Sequence, residues 1–424
     1  MSCALPFHLP EAYQSPIDVT SVLTVCPVSE RPVWEALSEL LHNAGRMEAF
    51  EIHLEPSGES LRVRYRSVFD FAETRLPLND IALKAVNILA SRLWGSDRND
   101  VARRGWFKFT VSEKPLLFQL DNVPCSIGSS FLITALEDVS QQPARLEDIG
   151  LSREQLSTLK CVLESRTGLL VVASRLPQVH RRTSRAIAQS LISPDVKVVM
   201  ADTPLHPLIP GTSQLGLDIP ATTEQRKNWQ ALCQMGADAI IAAQTLENDM
   251  SVQLINLAAE KALVVISVDE DNASSCLARL MGLGARSETL AHKLNGLILQ
   301  HRIRCLCTYC RVGSVPDDLE TAWLARYSPV LEGNINNWVR HRMRCSFSEA
   351  PGCDHCNGTG HRTWLDVFDL VTVTPDVKNA LFDADYQSAM IRIDGEKSLA
   401  KKLLKLAQEG IISLSEACRV TDEL

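Results

Sequence analysis

The stretch that decides the fold runs from residue 168 to residue 204 and reads GLLVVASRLPQVHRRTSRAIAQSLISPDVKVVMADTP. Its pattern predicts a buried strand at Leu169–Ala173, a polar loop, a helix over Ser184–Leu191 and a second strand at Val196–Met200. This order frames a phosphate-binding P-loop, which needs glycines for backbone N–H contacts, a lysine for charge and a Ser or Thr for magnesium. The stretch has no glycine after its first residue. We therefore predict that the strand–loop–helix–strand arrangement is present and that its ability to bind phosphate is lost.

Two further apolar runs continue the pattern toward the C-terminus. Ala239–Ala242 and Leu263–Val268 are short, uninterrupted and separated by helical stretches. Continuous apolar runs of this length are typical of strands that are buried on both faces of a parallel sheet. The sequence therefore predicts an α/β core over residues 146–300, in which helices cover a parallel sheet.

The N-terminal third has a different pattern. Helical periodicity predicts helices at Pro32–Ala44 and Asn79–Leu93, and the alternation in EIHLEPSGESLRVRYR at 51–66 predicts a hairpin with one wet face. Strand-like runs at Phe107–Val111 and Phe131–Leu136 add to the hairpin. These elements predict a small α+β domain.

Composition limits the possible classes of protein. The chain has 424 residues, 45% hydrophobic residues and a net charge of -8, so we expect two or three domains and no general nucleic-acid binding. No apolar run approaches the roughly 18 residues of a membrane-spanning helix, and the N-terminus MSCALPFHLPEAYQS has no signal-peptide pattern. The 13 cysteines without an export signal predict a reducing, cytoplasmic compartment, where CxxC spacing favours a metal over disulfides.

Four cysteines form two CxxC pairs with 42 residues between the pairs: Cys307, Cys310, Cys353 and Cys356. Each pair places two thiolates on one tight knuckle, and two knuckles complete a tetrahedral zinc site. Four thiolates leave no open coordination position, so the predicted zinc is structural. The alternative is a set of unrelated buried cysteines, which is also the role we expect for Cys305 and Cys345.

These patterns divide the chain into five predicted segments. Residues 301–365 carry the paired cysteines, and the last sixty residues are helical, with a capping box at Ser413-Leu-Ser-Glu416. The segments are an N-terminal extension at 1–30, an α+β domain at 31–145, the α/β core at 146–300, a zinc-binding subdomain at 301–365 and a helical subdomain at 366–424.

Four stretches between about residue 33 and the C-terminus carry a resemblance to a known family: EIHLEP at 51–56, LEDIGL at 146–151, the two cysteine knuckles and ISLSEACRVT at 412–421. Through these motifs the chain resembles the secretion ATPases of type II secretion and type IV pilus assembly. EIHLEP at 51–56 is similar to the opening motif of the family's N-terminal domain, and LEDIGL at 146–151 to its linker. CTYC at 307–310 with GCDHCNGTGHRT at 352–363 resembles its zinc knuckle, and ISLSEACRVT at 412–421 its final helix. The resemblance implies a RecA-like core and a hexamer, in which ATP hydrolysis rotates or displaces an inner-membrane platform protein.

The resemblance also identifies the positions of the family's motor residues, which hold other residue types in this chain. They are Ser174, Pro177 and Val179 at the P-loop glycines, His180 at the lysine, Arg181 at the magnesium-binding hydroxyl, Asp202-Thr203 at the acidic pair, His206 at the following glutamate, Gln230 and Gln234 at two arginines, Gln244 at the Walker B glutamate and Asp269 at the catalytic histidine. Catalysis of phosphoryl transfer is almost entirely positioning and electrostatics. We therefore predict no catalytic residues and no binding of ATP or Mg²⁺.

Two basic clusters leave alternatives open. Arg175, Arg181, Arg182 and Arg185 lie near His180 in the sequence, and they form either an anion site at a helix N-terminus or a solvated basic face. Three further arginines share one face of the predicted hairpin and form either a wet face or a subunit contact: Arg62, Arg64 and Arg66.

The sequence as a whole predicts a cytoplasmic pseudo-ATPase, peripheral to the inner membrane, which acts as a structural or regulatory subunit of a secretion or pilus machine. Its expected partners are further copies of itself, an intact motor ATPase and the inner-membrane platform protein, without nucleic acid. One alternative is an active ATPase that uses replacement residues. The other is a regulator that binds an anion or a nucleotide second messenger.

Overall fold

The computed structural model describes residues 17–422 apart from the following positions: 48, 58, 67–70, 78–80, 95–102, 112, 139–144, 203–207, 218–222, 235, 246–249, 252–253, 256–260, 328–346, 357 and 384–395. The chain divides into two compact units, Met1–Gln142 and Pro143–Leu424. None of the helices in these described stretches is long and apolar enough to cross a membrane.

The first unit is a seven-stranded sheet with helices packed on one face. The strand order is β1-β5-β6-β7-β2-β3-β4, and only the short β1 is parallel to its neighbour. Its elements are β1 Ile17–Asp18, α1 Val19–Val25, α2 Arg31–Arg46, β2 Glu51–Ser57, β3 Ser60–Arg66, β4 Phe71–Pro77, α3 Ile81–Trp94, β5 Arg103–Val111, β6 Lys114–Cys125 and β7 Gly128–Asp138.

Alternation along the strands explains this arrangement. Ile52 and Leu54 of β2 are buried between half-exposed neighbours, and they pack in one apolar core with Trp34 and Leu37 of α2. The predicted helices and hairpin are therefore confirmed. β4 and β6 were not predicted. β6 carries a proline near each end and lacks a regular alternation of apolar and polar residues. Val19 is also in this core, so a strand and a helix lie where the sequence predicts only an extension.

The second unit contains a second seven-stranded sheet, a two-stranded sheet and the remaining helices. Its elements are α4 Arg153–Leu163, β8 Gly168–Ala173, α5 Pro177–Ser190, β9 Val198–Asp202, β10 Thr212–Gly216, α6 Thr223–Gln234, β11 Ala239–Ala242, β12 Leu263–Val268, α7 Ala273–Gly282, α8 Ser287–Lys293, β13 Leu294–Leu306, β14 Val312–Ser314, α9 Asp318–Tyr327, β15 Phe347–Glu349, β16 His361–Thr372, α10 Pro375–Phe382, α11 Glu396–Gln408 and α12 Leu414–Asp422, with single 3-10 turns at Leu146–Asp148 and Asp354–Cys356.

The large sheet of this unit has the order β10-β9-β11-β12-β8-β13-β16. All neighbouring strands are parallel except the antiparallel pair β13 and β16. Every residue of β8, β9, β11 and β12 is buried, because helices cover both faces. This confirms the predicted α/β core. The carboxyl ends of the parallel strands share one edge, where α/β proteins usually place their ligands.

The helix after β8 begins at Pro177, so the predicted start at Ser184 is wrong. Proline is favoured at the first position of a helix, because its fixed φ suits the helix and its missing N–H has no intrahelical partner to lose. As a result, His180 and Arg181 lie at the start of α5 and not in a long polar loop.

Two strands run through the predicted boundaries of the cysteine segment. β13 continues past residue 300, and β16 continues past residue 365, and the two strands pair along most of their length. The segment with the cysteines therefore lies between two adjacent strands of the core sheet. Beyond it, α9, α11 and α12 pack with Ile303 of β13 and Val367 of β16 in a separate apolar cluster.

Candidate functional site

The edge of the sheet after β8 is the place where the P-loop frame would hold a phosphate. The connection to α5 consists of Ser174, Arg175 and Leu176, none of which is glycine. In the first turn of α5, Pro177 has no N–H, and the N–H of Val179 donates to the carbonyl of Leu176 over 2.9 Å. A phosphate at this position would therefore meet side chains and N–H groups that already donate to other acceptors. A P-loop instead offers a ring of N–H groups to the phosphate.

His180 occupies the buried centre of this edge. Its side chain is fully buried, and its Nε2 lies 3.0 Å from Oδ1 of Asp269, which follows β12. Burial lowers the pKa of His180, although Asp269 favours the charged ring. Burial raises the pKa of Asp269, but the hydrogen bond and charge of His180, the hydroxyl of Thr245 and the charge of Arg181 together leave that pKa below its ordinary value. These directions favour a neutral imidazole that donates to an ionised carboxylate.

Asp202, at the end of β9, lies between two arginines of α5. Its carboxylate is fully buried, and the side chains of Arg181 and Arg185 are only 8% and 4% exposed. Arg185 donates from Nη1 to Oδ2, and Nε of Arg181 lies 3.6 Å from Oδ1. A buried carboxylate is stable in its charged form when opposite charges and hydrogen bonds surround it. This cluster therefore supplies its own counter-ions.

Hydroxyl groups connect α5 to the strands beneath it. Thr183 Oγ1 donates to Oε1 of Gln300 on β13 over 2.6 Å. Ser184 Oγ lies 3.0 Å from Ser267 Oγ on β12, and Ser267 in turn donates to the carbonyl of Ala242 over 2.8 Å. The inner face of α5 is thus tied to the sheet by side chains along its length.

Gln244 follows β11 and is buried. Its Nε2 donates over 3.0 Å to the carbonyl of Leu217, which follows β10. An amide has no basic oxygen that can take a proton from water at neutral pH. At this position Gln244 fastens two loops together and offers no general base.

The other arginines of the basic cluster also face carboxylates. Arg175 forms an ion pair with Asp271, which follows β12, and Nη1 of Arg182 lies 3.8 Å from Oδ2 of Asp366 on β16. Both carboxylates lie far away in the sequence, so periodicity gave no signal for them. The structure thus brings Arg175 and Arg182 together with two carboxylates, Asp271 and Asp366, to which no sequence pattern assigned a role.

The last four positions of the predicted motor set are two glutamines on α6 and two residues outside the described stretches. Gln230 and Gln234 are exposed on α6. Thr203 and His206 lie outside the described residues, as does Cys345.

The predicted metal ligands come together in one cluster. The four Sγ atoms of Cys307, Cys310, Cys353 and Cys356 all lie within 4.8 Å of one another. Three of their separations are 3.9, 3.9 and 3.8 Å. A tetrahedron of zinc–sulfur bonds near 2.3 Å has edges of about 3.8 Å. The cluster therefore fits a tetrahedral metal ion, whereas Cys305 is half-buried nearby and is not part of it.

Backbone geometry shapes the second knuckle. Gly352 and Gly360 have φ values of +101° and +75°, and a Cβ on either residue would lie 2.3 or 2.2 Å from a backbone oxygen. The N–H groups of Cys353 and Gly360 point at Sγ of Cys356, over 3.1 and 3.2 Å. Only glycine fits these two turns, and the turns aim donors at a thiolate.

Ionisation of the four thiols is coupled. Burial opposes the thiolate of Cys356, but hydrogen bonds from the N–H groups of Cys353 and Gly360 and from the thiols of Cys353 and Cys310 lower its pKa to about 6. Burial and three neighbouring thiols raise the pKa of Cys310 to about 12. One thiolate forms readily, and four together need a cation.

The arginines of the hairpin pair within their own sheet. On β3, Arg64 forms an ion pair with Glu55, and Nη1 of Arg66 lies 3.4 Å from Oε2 of Glu51. Nε of Arg62 lies 3.3 Å from Oε1 of Glu73 on β4. The exposed side of β2, β3 and β4 therefore carries a row of paired opposite charges, which we call the charge ladder.

Comparison with known proteins identifies relatives of low sequence identity that align over nearly the whole chain. Type IV pilus assembly ATPase PilB of Acinetobacter baylyi is 22% identical over 415 residues, which span 93% of this chain and 67% of PilB. Type II secretion system protein E of Pectobacterium carotovorum is 20% identical over 401 residues, which span 93% of this chain and 76% of that protein.

Solved structures share the fold. The ATPase DotB of Legionella pneumophila superposes with a TM-score of 0.60 at 9% identity, covering 92% of this chain and 95% of DotB. The pilus retraction motor PilT with bound ADP superposes with a TM-score of 0.53 at 13% identity, covering 91% of this chain and 98% of PilT. The model of the family described as Type II/IV secretion system protein matches residues 28–419. The chain therefore belongs to the Type II/IV secretion system protein family.

Proposed function

We propose that this chain is a member of the family that does not hydrolyse ATP and that serves a secretion or pilus assembly machine as a structural or regulatory subunit. One observation carries the proposal: the substituted pocket residues pair with one another. His180 pairs with Asp269, and Arg181 and Arg185 pair with Asp202. A residue engaged in such a pair is not available to a phosphate, a metal ion or a water molecule.

The same pairs weigh against both alternatives. An ATPase with replacement residues needs a carboxylate that can orient water, but the buried Asp202 is held by two guanidinium groups. A regulator that binds a phosphorylated ligand needs cations that are available, but Arg181 and Arg185 are already paired with the buried Asp202. A ligand would have to separate these buried ion pairs, and leaving the Asp202 charge uncompensated costs about 3–5 kcal/mol.

The proposal is tested by enzymology and calorimetry on the full chain with its metal retained. We expect no ATP hydrolysis above background and no Mg²⁺-dependent ATP binding in the micromolar range. His180→Lys should not restore either one, because Pro177, Gln244 and the occupied donors remain. Micromolar ATP affinity with turnover would support the active ATPase. A thermal shift with cyclic dinucleotides, without turnover, would support the regulator.

We also propose that the four cysteines hold one structural zinc ion per chain. Support comes from the sulfur separations near those of a zinc tetrathiolate and from the donors aimed at Cys356. When bound, zinc would supply a closed tetrahedral cross-link between segments that are distant in the sequence. No ligand position remains for substrate, so the ion has a structural role.

The proposed setting is the cytoplasmic face of the inner membrane, where the chain would be peripheral. Its proposed partners are further copies of itself, an intact motor ATPase and the polytopic platform protein. The family relationship supports this setting, since relatives are named as pilus assembly ATPases and type II secretion proteins. Within the second unit, we retain the division into a RecA-like core, a zinc-binding segment and a C-terminal helical part as a working proposal.

A further inference from the structure

The middle of each CxxC knuckle carries a ring, and the two rings touch. Tyr309 lies between Cys307 and Cys310, and His355 lies between Cys353 and Cys356. The two rings stack with their centroids 4.0 Å apart and their planes 23° apart. Tyr309 is 61% exposed, so the apolar core does not account for its position.

A third side chain adds to this contact. Cζ of Arg362, near the start of β16, lies 5.0 Å from the centroid of the Tyr309 ring. A guanidinium over an aromatic ring is attracted by the ring's negative face, and offset stacking adds a further attraction. Tyr309, His355 and Arg362 thus connect three stretches of the second unit at its surface, and we call them the aromatic clamp.

The aromatic clamp joins two knuckles that are far apart in the sequence. The cysteine pairs are separated by 42 residues, so closing the site brings together segments whose ends are free to move apart in the unfolded chain. Two other links lie close by. β14 and β15 pair over three residues, and the N–H of Cys307 donates to the carbonyl of Gly360 over 2.8 Å. Both links hold backbone, whereas the clamp ties the tips of the knuckles through side chains.

We propose that the aromatic clamp positions the two knuckles at metal-binding distance and slows the loss of the metal ion. This inference rests on the proposed zinc site. Tyr309 and His355 act here as positioning residues and not as ligands, since the four sulfur atoms already complete a tetrahedral set. While the rings remain stacked, the knuckles stay together after one metal–sulfur bond opens, so that bond re-forms before a chelator captures the ion.

The test measures zinc release from the full chain to a chromogenic chelator. The variants Tyr309→Ala and His355→Ala each remove one ring. Tyr309→Phe keeps the stacked ring and removes only the hydroxyl. Thr308→Ala is the matched control, because Thr308 is an exposed neighbour on the same knuckle. We expect release to be about tenfold faster in both ring deletions, from the usual strength of stacking and cation–π contacts. Tyr309→Phe and Thr308→Ala should stay within about twofold of the wild type.

A double variant tests whether the rings act together. If they form one clamp, Tyr309→Ala with His355→Ala releases zinc no faster than the quicker single variant, because the contact is already lost. Additive acceleration would mean two independent effects and would overturn the clamp. Circular dichroism of each variant, recorded with metal bound, confirms that the comparison is made on folded protein.

Cobalt substitution separates positioning from ligation. A Co²⁺-loaded chain with four thiolates should show the same d–d absorption bands in the wild type and in His355→Ala. Altered bands would make His355 a ligand and overturn the clamp. Equal release rates in all variants, with one zinc per chain in the wild type, would overturn the clamp and leave the zinc site standing. A wild-type chain without zinc would overturn both.

Discussion

The edge of the sheet around α5 and the four-cysteine site both resemble sites of the family, but only the four-cysteine site has the residue types that the resemblance implies. At the sheet edge, the positions where the resemblance implies glycines, a lysine and acidic residues hold other residue types, and some of these pair with each other, as His180 does with Asp269. At the cysteine site, all four thiols are present, and Gly352 and Gly360 keep the tight turns.

The difference follows from what each set of residues does for the fold. The thiols and their turns are the structure of the knuckles, so losing one of them loses the local fold. The residues of a nucleotide pocket face a ligand and not the core, so they can change when no ligand selects them. Their buried positions still forbid lone charges, and this explains why Arg181 and Arg185 are matched by Asp202.

The largest expected effect comes from breaking the cysteine site. Chelation, or Cys353→Ser, should remove the metal and lower the melting temperature of the second unit by about 10 °C, because a structural zinc contributes several kcal/mol of folding free energy. Metal analysis together with scanning calorimetry measures both changes. Cys305→Ser is the control, since this nearby cysteine lies outside the cluster. Unchanged metal content in Cys353→Ser would contradict the site.

The second prediction concerns the buried charges at the edge of the sheet around α5. Asp202→Asn leaves Arg181 and Arg185 buried without their carboxylate, so we expect the free energy of unfolding to fall by about 3–5 kcal/mol. Urea denaturation followed by circular dichroism measures the change. Asp195→Asn, at an exposed carboxylate just before β9, should alter stability by less than about 0.5 kcal/mol. If both variants were equally stable, the pocket charges would not hold this edge together.

The third prediction concerns pH and β13, which pairs with β8 at the pocket and leads to Cys307. Burial lowers the pKa of His301 from 6.5 to about 4; among the neighbouring charges, Asp369 raises it, while Lys402, Arg175 and Arg419 lower it. As pH falls below 6.5, the unfolded chain takes up this proton and the folded chain does not. Stability is therefore full above pH 6.5 and decreases toward pH 4, by up to about 3 kcal/mol for this group.

Denaturation of the wild type and of His301→Gln between pH 7 and pH 4.5 isolates this contribution. Other carboxylates titrate in both proteins, so the difference between the two curves reports His301 alone. We expect that difference to change by about 2 kcal/mol between pH 7 and pH 5. Parallel curves would show that folding does not lower the pKa of His301 and would contradict the prediction.

The smallest expected effect on stability lies outside both regions, on the charge ladder of the first unit. Arg64→Glu with Arg66→Glu should cost only about 1 kcal/mol, because exposed ion pairs contribute little. We expect it to weaken assembly with itself, with an intact motor ATPase or with the platform protein, as seen by light scattering and co-purification. The control is Arg145→Glu with Lys160→Glu, which makes the same charge change around Glu147 in the second unit.

A chain that stays monomeric, and recovers neither the motor nor the platform protein on co-purification, would remove the support for a scaffold role. An assembly that is equally weakened by both double variants would show a general effect of charge. A contact on β3 is supported only if Arg64→Glu with Arg66→Glu weakens assembly and the control double variant does not.

Much of the fold follows from local sequence patterns. The buried strands β8, β11 and β12 were predicted because burial on both faces demands continuous apolar runs, and α2 because a helix that faces a core repeats its apolar residues every three or four positions. The start of α5 was misplaced, because its polar first turns conceal the helical period, although Pro177 marks the position. The capping box at Ser413 was only half present. The N–H of Glu416 does donate to Ser413 Oγ, but the carboxylate of Glu416 binds Arg304 of β13.

The sequence by itself determined which chemistry is present: the four thiols at knuckle spacing, and the missing glycines and lysine. Only the tertiary structure decided which polar and charged side chains pair with each other. His180 and Asp269 are 89 residues apart, and Arg302 and Asp366 are 64 residues apart. Periodicity reports burial and local backbone, which neighbours in the chain set. Pairing of side chains depends on crossover connections that bring the ends of distant strands to one edge, and this information is carried by no single stretch of the chain.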